Sequence, residues 1–171
     1  MTDAPATLDE ATLAFAEQVF EAARTGDTER LRQWFTQGLT PNLRNHKGDS
    51  LLMLASYHGH LEATALLLEQ GADPSLVNQR GHTPLAGAAF KGNAEMIELL
   101  LSFGADVEGV CADGKSALMM ATMFNHTQVM QQLKDAGANI YHQDIIGAGL
   151  REAAQLTQAR DALELLTRWG V

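Results

Sequence analysis

The chain repeats a short glycine-led segment at intervals of 33 residues. The three most similar copies begin at Gly48, Gly81 and Gly114. A second series of glycines with the same spacing consists of Gly38, Gly71, Gly104, Gly137 and Gly170. A fixed period of this length over most of a chain indicates stacked supersecondary units, and such arrays usually present a binding surface and seldom catalyse.

Aligned on these glycines, the sequence divides into a tail and five units. The tail, residues 1–12, is expected to be flexible, since the periodic pattern begins only after it. The central units are 46–78, 79–111 and 112–144, and the flanking units, which we expect to cap the array, are 13–45 and 145–171. One domain therefore covers residues 13–171.

Each unit has the pattern of two short helices. In the unit 46–78, Ser50 is expected to cap a first helix that ends near His58. Gly59 then breaks the pattern, and a second helix runs to about Gln70, where Gly71 ends it in the left-handed conformation. Proline and glycine in the following stretch predict a short, hairpin-like turn to the next unit.

The second helices are too apolar to be stable alone. Three consecutive leucines at 66–68 recur at 99–101, and a helix with such a surface needs a neighbour on each side. The sequence therefore predicts one elongated core, stabilised by the interfaces between units. Leu67 and Leu100 are expected to be fully buried.

Composition narrows the classes of function. The net charge of −9 opposes nucleic-acid binding, which needs clustered Lys and Arg. A single cysteine, Cys111, excludes an internal disulfide and fits a reducing compartment. No secretory signal is evident, and the longest apolar runs fall far short of the ~18 residues that a membrane span needs. We expect a cytoplasmic protein that needs no cofactor.

The units resemble the ankyrin repeat. The residues that match this family best are Gly81-His82-Thr83-Pro84-Leu85 and Gly71-Ala72-Asp73, followed by Gly59-His60, Gly104-Ala105-Asp106 and Gly137-Ala138-Asn139. The resemblance covers about residues 13–171. It implies an all-α solenoid of helix-turn-helix units in which turns project from one edge, first helices line a concave groove and second helices form the convex back.

Two motifs suggest chemistry, and the repeat explains both better. Gly48-Asp49-Ser50-Leu51 spells a hydrolase nucleophile block, but Ser50 holds the capping position that Thr83 occupies one period later. His58 and His60 would bind a metal only if their ring nitrogens converged, and no Cys, Asp or Glu completes the set locally. We predict no catalytic and no metal site. Cys111 is interpreted as a half-buried structural thiol.

A large apolar residue recurs at the end of each first helix after that of the first unit. The members of this series are Tyr57, Phe90, Met123 and Leu156, with Arg24 at the equivalent place in the first unit. These side chains either form an exposed strip that binds a partner or pack on one another and stay covered, and the sequence leaves both alternatives open. The pair Ile145-Ile146 at a turn tip is likewise either tucked in or a contact point.

Charge also sorts by face. Basic residues concentrate on the turns and first-helix ends, at His46, Lys47, His58, Arg80, His82, Lys91 and Lys115, relieved by Asp49 and Asp113. The second helices are acidic, with Glu62, Glu69, Glu95, Glu98 and Asp135. This distribution favours a protein partner with an acidic patch. The alternative is an ordinary mixed, solvated surface.

The sequence and its resemblance to the ankyrin repeat together predict a monomeric, noncatalytic protein-binding module of bacterial type. The predicted partner-binding residues are Lys47, Asp49, Tyr57, His58, Arg80, His82, Phe90, Lys91, Lys115, Met123 and Phe124. Two other hypotheses stay open at this point. One is an inhibitor, immunity or stress-protection accessory protein, and the other is a small-molecule or metal-linked activity.

Overall fold

A computed structural model describes residues 9–171 of the chain. Over these residues the chain forms ten α-helices and no strand longer than an isolated bridge. The helices are α1 Glu10–Thr25, α2 Thr28–Thr36, α3 Leu51–Tyr57, α4 Leu61–Glu69, α5 Pro84–Lys91, α6 Ala94–Ser102, α7 Ala117–Met123, α8 Thr127–Asp135, α9 Leu150–Thr157 and α10 Arg160–Trp169. The predicted all-α repeat solenoid is confirmed.

Helix α1 begins earlier than the sequence pattern indicates. Asp9 precedes it, and its Oδ1 accepts a hydrogen bond of 2.6 Å from the backbone N–H of Thr12. Because this side-chain cap starts the helix at Glu10, residues 10–12 belong to the first unit rather than to a tail. Residues 1–8 of the predicted tail lie outside the described residues.

The first helices of the central units start at identical side-chain caps. Ser50 Oγ accepts a hydrogen bond of 3.1 Å from the backbone N–H of Met53, as its position predicts. Thr83 and Ser116 cap α5 and α7 through equivalent hydrogen bonds of 3.1 and 3.2 Å. The helices therefore begin in the same register in each unit, and residues one period apart lie at equivalent places.

The helices stack in two rows. Helices α1, α3, α5, α7 and α9 pack side by side in one row, and α2, α4, α6, α8 and α10 in the other. A continuous apolar core runs between them from Val19 to Leu166. Leu67 and Leu100 have no exposed surface, as predicted, so each central unit is stabilised by its neighbours.

Two histidines hold the ends of first helices in the preceding unit. His60 Nε2 donates a hydrogen bond of 2.9 Å to the carbonyl of Arg24, at the end of α1. His126 Nε2 does the same to the carbonyl of Phe90 in α5, at 3.0 Å. Each contact joins two consecutive units across 36 residues and holds the end of the first helix in the preceding unit.

The turns between units are also tied together. The backbone N–H of Gln79 donates to the carbonyl of Lys47 at 3.1 Å, and that of Ile145 donates to the carbonyl of Asp113 at 3.2 Å. We refer to residues 46–47, 79–80, 112–113 and 145–146 as the turn tips. Main-chain hydrogen bonds thus join the first tip to the second and the third tip to the fourth, on the side where the first helices begin.

Candidate functional site

The first helices and the turns enclose a depression of about 460 Å³. Its walls come mainly from α3, α5 and the turns before them. Seven of the eleven predicted binding residues line it: Lys47, Asp49, Tyr57, His58, Arg80, His82 and Phe90. The other four, Lys91, Lys115, Met123 and Phe124, are not part of its lining. We call the surface formed by the first helices and the turn tips the groove.

Three aromatic side chains form a strip along the groove. The rings of Tyr57 and Phe90 are stacked, with centroids 6.2 Å apart and an interplanar angle of 17°. Phe124 meets Phe90 edge to face at 4.4 Å. Tyr57 and Phe124 are exposed, while Phe90 between them is half-buried. The aromatic strip (Tyr57, Phe90, Phe124) therefore combines the two alternatives left by the sequence: its rings pack on one another and still face solvent.

In the unit 112–144, the residue that joins the aromatic strip is not Met123 of the predicted series but its neighbour Phe124. Met123 is half-buried and packs against the core, whereas Phe124, the next residue, contacts Phe90. Leu156, one period after Met123, is 80% exposed. Arg24, at the other end of the series, is exposed and forms an ion pair with Glu21. The aromatic strip thus covers three central units, and Leu156 stands alone beyond it.

Asparagines that the sequence interpretation passed over shape the turns. Asn45 Oδ1 accepts hydrogen bonds from the backbone N–H groups of Lys47 and Asp49, each at 2.9 Å. Asn78 Oδ1 does the same for Arg80 and His82, each at 3.0 Å. Four predicted binding residues are therefore positioned by two amides. The 33-residue interval from Asn45 to Asn78 is the signal that could have shown this.

Asp49 is the acidic residue in the lining of the depression. Its Oδ1 accepts a hydrogen bond of 2.9 Å from Asn78 Nδ2, and its Oδ2 accepts one of 3.3 Å from Asn45 Nδ2. The carboxylate thus links two consecutive turns. It serves to join the repeats as well as to line the groove.

The basic residues of the groove differ in their partners. Lys115 Nζ lies 2.5 Å from Asp113 Oδ2, and this contact raises the pKa of Lys115 and lowers that of Asp113. Within residues 9–171, no carboxylate lies at ion-pair distance from Lys47, Arg80 or Lys91. Among these basic residues of the groove, the three without a carboxylate partner in the described part of the chain therefore lie on the units 46–78 and 79–111.

Lys91 and His58 stand beside the first ring of the strip. The Lys91 ammonium lies 4.8 Å from the centroid of Tyr57, at cation–π distance. His58 meets the same ring edge to face at 5.5 Å. Partial burial lowers the pKa of His58, and the positive charges of His60, Arg24 and Lys91 lower it further, against the opposing effect of Glu21. The imidazole is therefore held mostly neutral near pH 7.

The groups that suggested chemistry are engaged in structure. The Ser50 hydroxyl is buried as a helix cap, and His60 Nε2 is bonded to a carbonyl. Burial, followed by the nearby charge of Asp113, raises the pKa of Cys111 to about 11, so its thiolate is scarce at neutral pH. Among the described side chains, no three of His, Cys, Asp and Glu form a metal-binding group.

The second helices, on the face opposite the groove, carry the acidic residues that the sequence analysis named. Glu62, Glu69, Glu95, Glu98 and Asp135 of the second helices are all exposed.

In the described part of the chain, no helix is long and apolar enough to cross a membrane.

The architecture agrees with the comparison to known families. A family model described as ankyrin repeats, in three copies, matches residues 19–108 and 52–144. The chain belongs to the ankyrin-repeat family. A Pseudomonas aeruginosa protein described as an ankyrin repeat protein is 60% identical over 67 residues, a match that covers 39% of this chain and 39% of that relative.

Membership in the ankyrin-repeat family has a general functional meaning. Ankyrin repeats are generally protein–protein interaction modules, and the family is typically noncatalytic. Repeat stacks provide extended concave surfaces for this purpose.

Proposed function

We propose that this protein is a noncatalytic module that binds a partner protein through the groove and its turn tips. The observation that carries the proposal is the aromatic strip beside the depression, flanked by Lys47, Arg80 and Lys91. Rigid aromatic side chains supply large contact area at low entropic cost, and they are enriched at interfaces. The residues proposed to bind are the eleven predicted from the sequence.

The charge of the groove supports a partner with an acidic patch. The chain as a whole has a net charge of −9, yet Lys47, Arg80 and Lys91, which have no carboxylate partner within residues 9–171, lie on two neighbouring units. A local cationic surface on an acidic protein attracts an acidic partner and repels basic ones, which accelerates encounter and selects the contact face. Nucleic acid is a poorer ligand, since the overall negative charge opposes a polyanion.

The proposed setting is a bacterial cytosol, where the protein acts as a monomer. The similarity to a Pseudomonas aeruginosa protein supports a bacterial origin for this chain. The single buried cysteine suits a reducing compartment, where no disulfide is needed for stability. The internal core of the repeat stack makes a second copy unnecessary for folding.

A capture experiment tests the groove. The purified chain is immobilised, and proteins from the native host are captured and identified by mass spectrometry. We expect Tyr57→Ala plus Phe90→Ala to lose the partner while thermal unfolding stays near that of the wild type. Phe103→Ala, which removes an exposed ring at the end of α6, is the control and should retain capture. Unchanged capture by the double variant would falsify the groove assignment.

A further inference from the structure

The groove changes chemical character along its length. The second residue of each turn tip is Lys47, Arg80, Asp113 and Ile146 in successive units, each 33 residues apart. These positions are equivalent, because side-chain caps set the register of α3, α5 and α7, and Gly149 is the N-cap of α9 one period after Ser116. One edge of the groove therefore passes from two cations through one anion to an apolar residue.

The opposite edge changes in the same direction. The residue that follows the apolar series is His58, then Lys91, Phe124 and Thr157. Leu156, beside Thr157, is 80% exposed. The cations Lys47, Arg80 and Lys91 thus lie on the units 46–78 and 79–111, and the described residues at these edge positions include no cation in the units that follow.

Charged groups near the later units are engaged internally. Asp113 is paired with Lys115, and Asp144 Oδ1 accepts hydrogen bonds of 3.0 Å from the backbone N–H groups of Ile146 and Ala148. Glu152 accepts from the backbone N–H of Gly149 at 3.0 Å. Arg151 donates to the carbonyl oxygen of Val171 and to Thr167 Oγ1. The partners of these four charged side chains all lie within the protein, so the exposed apolar residues give the units 112–171 their surface character on the groove.

The apolar end is exposed to a degree unusual for its residue types. Ile145 is 72% exposed and Ile146 is 83% exposed, so the pair is not tucked in. Single exposed apolar residues are ordinary on protein surfaces, but this pair shares the groove with Phe124 and Leu156. The main-chain hydrogen bond from Ile145 to Asp113 holds the tip in place beside its neighbour.

We propose that the groove binds one continuous partner segment with its acidic part over the units 46–111 and its apolar part over the units 112–171. This inference rests on the proposed function and specifies the partner. Lys47, Arg80 and Lys91 receive the carboxylates, and Phe124, Ile146 and Leu156 receive the apolar side chains. The partner segment therefore binds in one orientation, set by charge at one end and desolvation at the other.

The reach of such a segment is short. Helices pack about 8–10 Å apart, so three unit spacings from Lys47 to Ile146 amount to about 24–30 Å. An extended peptide of about 12 residues spans about 40 Å and covers this distance. A displayed library of random 12-residue peptides, selected on the immobilised full chain, is therefore an adequate probe.

The selection has matched controls. The charge variant is K47E/R80E, and its control is R32E/R160E, which reverses two exposed arginines on α2 and α10. The apolar variant is I146S/L156S, and its control is Phe103→Ser. All these side chains are exposed, and thermal unfolding followed by circular dichroism checks that each variant keeps its fold.

We expect enriched peptides to carry Asp and Glu in one half and apolar residues in the other. Their affinity should fall about tenfold for K47E/R80E and about tenfold for I146S/L156S, and change less than about twofold for either control. A photoreactive group at the acidic end should label residues in the units 46–111, and one at the apolar end should label residues in the units 112–171.

The outcomes separate this inference from the proposed function. Peptides that bind through Tyr57 and Phe90 but show no segregated composition, or that crosslink in the reverse arrangement, overturn the inference and leave the groove assignment standing. A pool without enrichment also overturns it, while the capture experiment still decides the proposed function. Peptides that bind equally to the Tyr57→Ala plus Phe90→Ala variant count against both.

Discussion

Replacement of Gly92 by alanine should be more costly than the same change at Gly104. Both glycines have positive φ, 70° and 84°. A methyl group at Gly104 meets nothing within 4 Å, whereas one at Gly92 would lie 2.5 Å from His126 Nδ1 and 2.7 Å from its Cε1. The pair therefore separates the cost of backbone conformation from the cost of a displaced histidine.

The magnitudes follow from these contacts. The left-handed conformation costs an alanine about 1–2 kcal/mol at either position. At Gly92 the ring must also move, which breaks the hydrogen bond from His126 to the Phe90 carbonyl and removes about 0.5–1.5 kcal/mol. We expect Gly104→Ala to lower the free energy of unfolding by about 1–2 kcal/mol and Gly92→Ala by about 1.5–3.5 kcal/mol.

Urea denaturation followed by circular dichroism measures both values. In a His126→Ala background the clash and the hydrogen bond are absent, so Gly92→Ala should then cost no more than Gly104→Ala. Equal losses for the two glycines in the wild-type background would refute the reasoning. This contact concerns the groove directly, since it holds the end of α5 where Phe90 enters the aromatic strip.

Three further predictions address the core, the thiol and the imidazole. Leu100→Ala should lower the free energy of unfolding by about 2–5 kcal/mol in urea titrations, because this side chain is fully buried. Cys111, with its pKa near 11, should react with a thiol reagent at about pH 8 only when urea unfolds the chain. The pKa of His58 in the folded chain is lowered from 6.5, so as the pH falls this imidazole is protonated at a higher pH in the unfolded chain than in the folded chain. The free energy of unfolding should therefore decrease as the pH falls through 6.5, and thermal melts should show a weaker pH dependence in His58→Gln.

The local features of the fold were predictable from the sequence. Helix starts depend on a cap and the residues within one turn of it, so Ser50 identified the first helix of its unit. The apolar content of 66–68 and 99–101 required burial against neighbours, which placed Leu67 and Leu100 in the core. The repeating pattern did not indicate that α1 begins at Glu10, because its cap, Asp9, lies outside that pattern.

The site was predictable only in part. The interval of 33 residues places Lys47 with Arg80 and Tyr57 with Phe90, because repeats in register bring equivalent residues side by side. The sequence series contained Met123, but the residue that joins the aromatic strip is Phe124. Met123 packs against the core, and the neighbouring Phe124 contacts Phe90. Sequence spacing does not specify such a direction.

The sequence by itself determined the repeated unit, its caps and breaks, and the residues that must be buried, since these depend on interactions within a few turns of chain. The tertiary structure decided which groups remain free at the surface. It joined Asp49 to Asn78 in the next unit and left Lys47, Arg80 and Lys91 without a carboxylate among the described residues. Charge is available to a partner only where no neighbour compensates it, and that depends on distances in space.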